Sequence, residues 1–132
     1  MTSGGAGARL TAEERRAIGP ALANATRRDA AMYAQLLKQL FDANRVDLAG
    51  LRRAIARRDW PAVHHSVHRI KGSAALARCT SLVAAGKSLE SAAAQGNAAV
   101  VNALLPRYAA MVTEFNDTLS DLLGRANPDR VP

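Results

Sequence analysis

Within the run Pro61-Ala-Val-His64-His65-Ser-Val-His68-Arg69-Ile-Lys71-Gly72-Ser73-Ala74-Ala75, three histidines, a lysine and a glycine fall at spacings that suit phosphoryl chemistry. On a helix, residues three and four apart share a face, so Lys71 and Gly72 lie beside His68, while Val67 and Ile70 point the other way. A neutral imidazole is a nucleophile near pH 7. A lysine three residues on can offset the negative charge that a phosphoryl group brings. A glycine one turn on leaves a patch without a side chain, over which another protein can reach the imidazole. In a helix interior that glycine costs about 1 kcal/mol relative to alanine, and access is a reason to keep it. His64, four residues before His68, shares its face; His65 reads as a polar surface residue. His64 and His68 have the i, i+4 spacing of two zinc ligands, but the helix holds no Asp, Glu or Cys near them to complete a tetrahedral set, and no metal is expected. The plain alternative for His68 is a solvated surface histidine.

Helices must carry these residues. Alanine supplies 29 of the 132 positions, and strand-like clusters of Val, Ile and Thr are absent. The expected fold is all-α, an antiparallel up-down four-helix bundle with a short extra N-terminal helix. Thr11-Ala-Glu-Glu14 has the form of a capping box that starts the short helix, and Gly19-Pro20 is expected to stop it. Leu37, Leu40, Asn44, Leu48, Leu51 and Ile55 predict one long amphipathic helix over 29–57, with Asn44 marking a place for a bend. Asp59-Trp60-Pro61 starts the histidine helix, whose positions Trp60, Val63, Val67, Ile70 and Ala74 form one apolar stripe. A turn is expected over Ala77–Thr80, with Thr80 or Ser81 capping the next helix. There Leu82, Ala85, Gly86, Leu89 and Ala93 make a stripe of mostly small residues that lets a neighbour approach closely. Gly96-Asn97 precedes a last helix carrying Val101, Leu104, Tyr108, Met111, Phe115, Leu119 and Leu122. Pro106 is expected to kink that helix or split off its first turns, and Gly124 and Pro128 to end it. The chain then divides into a flexible lead over 1–10, one domain over 11–125 and a tail over 126–132.

A chain of this length has room for one core, and neither a GxxxxGKT nor a GxGxxG loop is present, so it is not expected to bind ATP by itself. The net charge of +7 is uneven: residues 1–72 hold 13 basic and 6 acidic side chains, residues 73–132 five of each. A positive half suits an acidic protein partner, a nucleic acid or an anionic surface. Arg52, Arg53, Arg57 and Arg58 read first as a solvated helix face, and neither helix-turn-helix spacing nor interleaved aromatics supports nucleic acid. Cys79, the single cysteine, reads as a small apolar filler near a turn. No apolar run is long enough to span a bilayer, and MTSGGAGARL lacks the apolar stretch of a signal peptide. A cytoplasmic location without direct membrane contact is the expectation.

The segment His68-Arg-Ile-Lys71-Gly72-Ser73-Ala74 resembles the HxxKG(S/A) signature of histidine-containing phosphotransfer (HPt) domains. Leu89-Glu90 falls 21 and 22 positions after the histidine, as a Leu-Glu pair does in that family. Upstream, Asn44-Arg45-Val46-Asp47-Leu48, Leu51 and Ala56-Arg57-Arg58-Asp59-Trp60-Pro61 resemble the approach to the histidine in C-terminal HPt domains of unorthodox hybrid sensor kinases. The resemblance covers roughly residues 29–123. It departs at Ala77-Arg78-Cys79-Thr80, where family members often carry a glycine, and residues 1–28 have no counterpart. It implies a phosphorelay intermediate without ATP site or enzyme activity of its own. His68 would take a phosphoryl group from a receiver-domain aspartate, through Nε2, and pass it to another. Lys71 would stabilise the phosphorylated state, Gly72 would give access, and His64, Arg69, Ser73 and Ala75 would be docking contacts. The resemblance further implies response-regulator receivers and a sensor histidine kinase as partners, a monomer in isolation, and no cofactor on this chain, Mg²⁺ sitting on the receiver. Two other readings are a helical module that binds a receiver or sensor without being phosphorylated, and a basic nucleic-acid-binding protein.

Overall fold

Five α-helices account for most of residues 9–126, the part of the chain that the computed structural model describes: α1 (Ala12–Ala25), α2 (Ala30–Ala56), α3 (Trp60–Leu76), α4 (Thr80–Ala94) and α5 (Ala98–Ala126). No strand occurs among the described residues, and no helix there is long and apolar enough to cross a membrane. The expected lead over 1–10 and tail over 126–132 fall mostly outside the described residues, as does Pro128. Where the two meet the described part they are ordered into the fold: Leu10 is buried and its N–H donates to Glu114 Oε1 at 2.7 Å, and Ala126 closes α5.

Three of the connections repeat one device. In Arg57-Arg58-Asp59, Ala77-Arg78-Cys79 and Gln95-Gly96-Asn97 the middle residue has positive φ (55°, 61° and 65°), and the two N–H groups after the cap turn back onto the last turn. Asp59 N donates to Ala54 O at 2.9 Å, Cys79 N to Ala74 O at 2.8 Å, and Asn97 N to Ala92 O at 3.0 Å. This is the Schellman closure, usually made with glycine. Arg78 takes the left-handed conformation that a glycine would otherwise supply, at a cost of about 1 kcal/mol, and the turn after α3 closes all the same. Such short returns force antiparallel neighbours. Helices α2, α3, α4 and α5 pack around one core in that cyclic order, and α1 lies against α5, α2 and α3.

The stripes behave as their spacing requires. Val63, Val67, Ile70 and Ala74 of α3 are fully buried, facing Leu37 and Leu51 of α2, Leu82 and Leu89 of α4, and Tyr108, Phe115 and Leu119 of α5 in one core; Trp60 is half-buried. At Gly86 a Cβ would stand 3.3 Å from Val67 Cγ1 and 3.6 Å from Tyr108 Cε1, so this glycine lets α4 close onto α3 and α5. Asn44 lies inside the unbroken α2. It is buried, and its Nδ2 donates to Asn116 Oδ1 at 2.9 Å while Asn116 Nδ2 donates to Phe41 O at 3.1 Å, a polar stitch between α2 and α5 inside the core.

Three expected helix boundaries are corrected. Helix α1 runs through Gly19-Pro20 to Ala25. Pro20 and Arg16, whose carbonyl loses its partner, are both exposed, whereas Ile18, Gly19 and Leu22 are buried. Gly19 is there for contact, since a Cβ would sit 3.3 Å from Leu122 Cδ2 of α5. Helix α5 is likewise one element through Pro106, which is exposed, and it continues past Gly124 to Ala126. The cap of α4 is neither Thr80 nor Ser81 but Cys79, whose side chain makes no capping bond. The missing acceptor comes from α1. Glu14 closes its own capping box, taking Thr11 N on Oε1 at 2.9 Å, and its Oε2 accepts from Ser81 N at 2.7 Å and from the Thr80 hydroxyl at 3.0 Å. Burial alone would raise the pKa of Glu14, but the N–H groups of Ser81 and Thr11 and the Thr80 hydroxyl outweigh it and bring the carboxyl down to about 2. The buried Cys79 thiol beside it is pushed up to about 12, by burial and then by the charge of Glu14, which leaves it an inert filler.

Candidate functional site

Asp59 starts α3 by accepting from Ala62 N at 3.2 Å, with Pro61 in the first turn where its absent N–H costs nothing. From that start the buried stripe fixes the rotation of the helix, and His68 comes out on the solvent side at mid-helix. Two carboxylates on neighbouring helices hold the side chains that flank it. On the α4 side Glu90 spends both oxygens: Oε1 meets Lys71 Nζ at 3.2 Å and Oε2 meets His64 Nδ1 at 3.1 Å. On the α2 side Asp47 Oδ1 meets Arg69 Nε at 3.1 Å. His64 and His68 lie nearly parallel, with ring centroids 6.0 Å apart and planes 18° from each other.

One turn beyond His68, Gly72 is exposed, and a Cβ there would meet nothing within 4 Å. Packing within the chain therefore does not require this glycine, unlike Gly86. Ala75, two turns on, is also exposed and extends the same low surface; Ser73 is half-buried and lies off the His68 face. His65 is exposed, as are Arg52, Arg53, Arg57 and Arg58.

Lys71 is less exposed than its place beside His68 suggests. Its side chain is only 26% exposed because the buried part of its stem follows the α3–α4 groove to Glu90. Arg69 is likewise tied down at its Nε while remaining largely open to solvent. Both carboxylates, Glu90 and Asp47, were without an assigned role in the sequence. Glu90 follows the buried Leu89 and Asp47 lies at the edge of the buried face of α2, a position at which an acidic residue asks for a partner across the helix seam. Beneath them Tyr108 packs against Gly86, its phenol pushed up by burial and then by the negative charges of Glu90 and Asp47. Among the described residues no group of three His, Cys, Asp or Glu side chains is placed to hold a metal ion.

An exposed imidazole, a lysine three residues on that is held by Glu90, and a bare helix surface beside it make a site that another macromolecule can cover. The sequence profile of the Hpt domain matches residues 35–124, which takes in α3, α4 and nearly all of α2 and α5. The virulence sensor protein BvgS of Bordetella bronchiseptica is similar at 29% identity over 110 residues, covering 78% of this chain; the chain spans 9% of that protein's length. No solved structure matches at comparable stringency. With the profile running through His68, Lys71 and Gly72 and across all four bundle helices, the chain belongs to the Hpt domain family, the phosphotransfer domains of two-component phosphorelays.

Proposed function

We propose that the chain is a phosphorelay intermediate that accepts a phosphoryl group on His68 from the aspartyl phosphate of a receiver domain and hands it to the aspartate of another receiver. The observation that carries this reading is the pairing of an exposed His68 with a Gly72 that no internal contact requires. Nε2 of the neutral imidazole attacks phosphorus, the P–N bond forms as the acyl P–O bond breaks, and the receiver carboxylate departs. In the reverse sense a carboxylate oxygen attacks and the imidazole leaves. The nucleotide and the Mg²⁺ belong to the partners, and no cofactor on this chain enters the step. Receiver sites are acidic, which fits the positive charge of residues 1–72 and the exposed Arg69 beside the histidine. A sensor histidine kinase would feed the relay, with the domain working as a monomer in the cytoplasm; Ala75 would contact the docked receiver. Mixing the chain with a ³²P-labelled receiver is expected to move label onto it as a phosphate that acid removes and base does not. A receiver that binds and never transfers would overturn the reading in favour of a binding module.

Lys71→Ala tests the cation. A phosphoryl group arriving on His68 competes with Glu90 for the ammonium, and the charge-assisted contact is worth about 1.5 kcal/mol, so the variant is expected to accept label about tenfold more slowly. The ion pair with Glu90 is partly buried and contributes about 1 kcal/mol, and Glu90 keeps His64 beside it after the change, so the thermal melt should shift by only a few degrees. An unchanged transfer rate would remove Lys71 from the site.

A further inference from the structure

We propose that His64 is a positioning residue for phosphoryl transfer, orienting the ring of His68 while itself being held by Glu90 of α4. The inference rests on the phosphorelay reading above and says how the acceptor is aimed. Side chains on a helix lean back over the preceding turn, so the ring of His68 projects toward the surface occupied by His64. There the two rings lie 18° from parallel, 6.0 Å apart, within the range of offset aromatic pairs. His64 is 67% exposed, and an exposed imidazole on a helix is ordinarily free to change rotamer. This one is anchored: its Nδ1 lies 3.1 Å from Glu90 Oε2, and the Glu90 side chain is 14% exposed and also fixed through its other oxygen by Lys71. The anchor belongs to a different helix, so the position of the His64 ring is set by the bundle and not by α3 alone.

Among the described residues Glu90 makes its side-chain polar contacts to Lys71 and His64, so it bears on His68 through His64. The opposite flank does not duplicate the function, because Arg69 is drawn away to Asp47 of α2. Confining the ring of His68 raises the fraction of time that Nε2 faces an incoming phosphorus, and a reacting group misplaced by about 1 Å can lose a hundredfold in rate.

The test uses the whole chain with two donors: a phosphorylated receiver, and phosphoramidate, a small phosphoryl donor that needs no docking surface. His64→Ala is expected to lower kcat for acceptance on His68 about tenfold, with KM for the receiver changed by no more than about twofold, and to slow phosphoramidate labelling by a similar factor. The melting temperature should hold because the side chain is mostly exposed, and ¹⁵N resonances of the His68 ring should report its altered surroundings. His64→Phe keeps a ring beside His68 but has no donor for Glu90, and is expected to recover only part of the rate. An unchanged kcat, a rise in KM alone with normal phosphoramidate labelling, or full recovery by phenylalanine would each overturn the proposal. These results are separable from failure of the phosphorelay reading, which would appear as a receiver that binds the parent chain and never labels it.

Discussion

His68→Gln is expected to accept no phosphoryl group and to fold like the parent chain. The glutamine amide has no lone pair on nitrogen with which to attack phosphorus, so the loss is complete and not a fractional slowing. The fold should not notice, since residue 68 is exposed at mid-helix, away from the buried Val67 and Ile70, and surface substitutions of this kind stay within about 0.5 kcal/mol. The measurement is transfer of label from a phosphorylated receiver, run beside a thermal melt. Two further exposed histidines, His64 and His65, stand in the same helix, and this makes the experiment informative in both directions. Label that persists in the variant would place the acceptor on one of them and sink the assignment to His68. Loss of label together with loss of the folding transition would show instead that His68 supports α3.

Glu14→Ala is expected to destabilise the chain by about 3 kcal/mol at neutral pH, although the residue is remote from the site. The figure follows from a carboxyl brought from 4.5 to about 2, each unit being worth about 1.4 kcal/mol. Because the folded pKa lies below the unfolded one, the contribution is complete above about pH 4.5 and is lost as pH falls toward 2, where the carboxyl is protonated in both states. Urea unfolding of both chains across that range should therefore show two curves that converge in acid. A gap between them that does not change with pH would mean that Glu14 acts by packing alone. The residue matters because it ties three places together: the start of α1, the start of α4 and the turn that ends the histidine helix. Its removal leaves Ser81 N and the Thr80 hydroxyl without their acceptor and loosens the α3–α4 corner, beyond Gly72 and Ala75 on the proposed docking surface. Transfer from a receiver should slow in this variant more than labelling of His68 by phosphoramidate.

Much of the fold was legible because helical stripes are local. Val63, Val67, Ile70 and Ala74 recur every three or four residues, and burying them settles which side of α3 faces water; His68 then follows without any knowledge of the other helices. The same holds for the small-residue stripe of α4, where Gly86 anticipates a close neighbour. The errors lie where a local signal is weighed without its surroundings. Gly19-Pro20 and Pro106 are breakers in isolation, but each proline faces solvent, and the buried residues on either side hold the helix together across it. Thr80 and Ser81 are good caps by type, yet a carboxylate from α1, more than sixty residues away in sequence, takes the bonds that a local cap would have made.

The sequence alone determined the exposure of His68 and the open glycine beside it, because both depend on the period of one helix. Only the tertiary structure decided which charges surround that histidine. Lys71 turns inward to Glu90, His64 is fastened by the same carboxylate, and Arg69 is claimed by Asp47. Those pairings join α3 to α4 and α2, and no spacing along one helix encodes them: they exist because the buried stripes set the rotation and separation of three helices, bringing carboxylates and cations distant in sequence to about 3 Å.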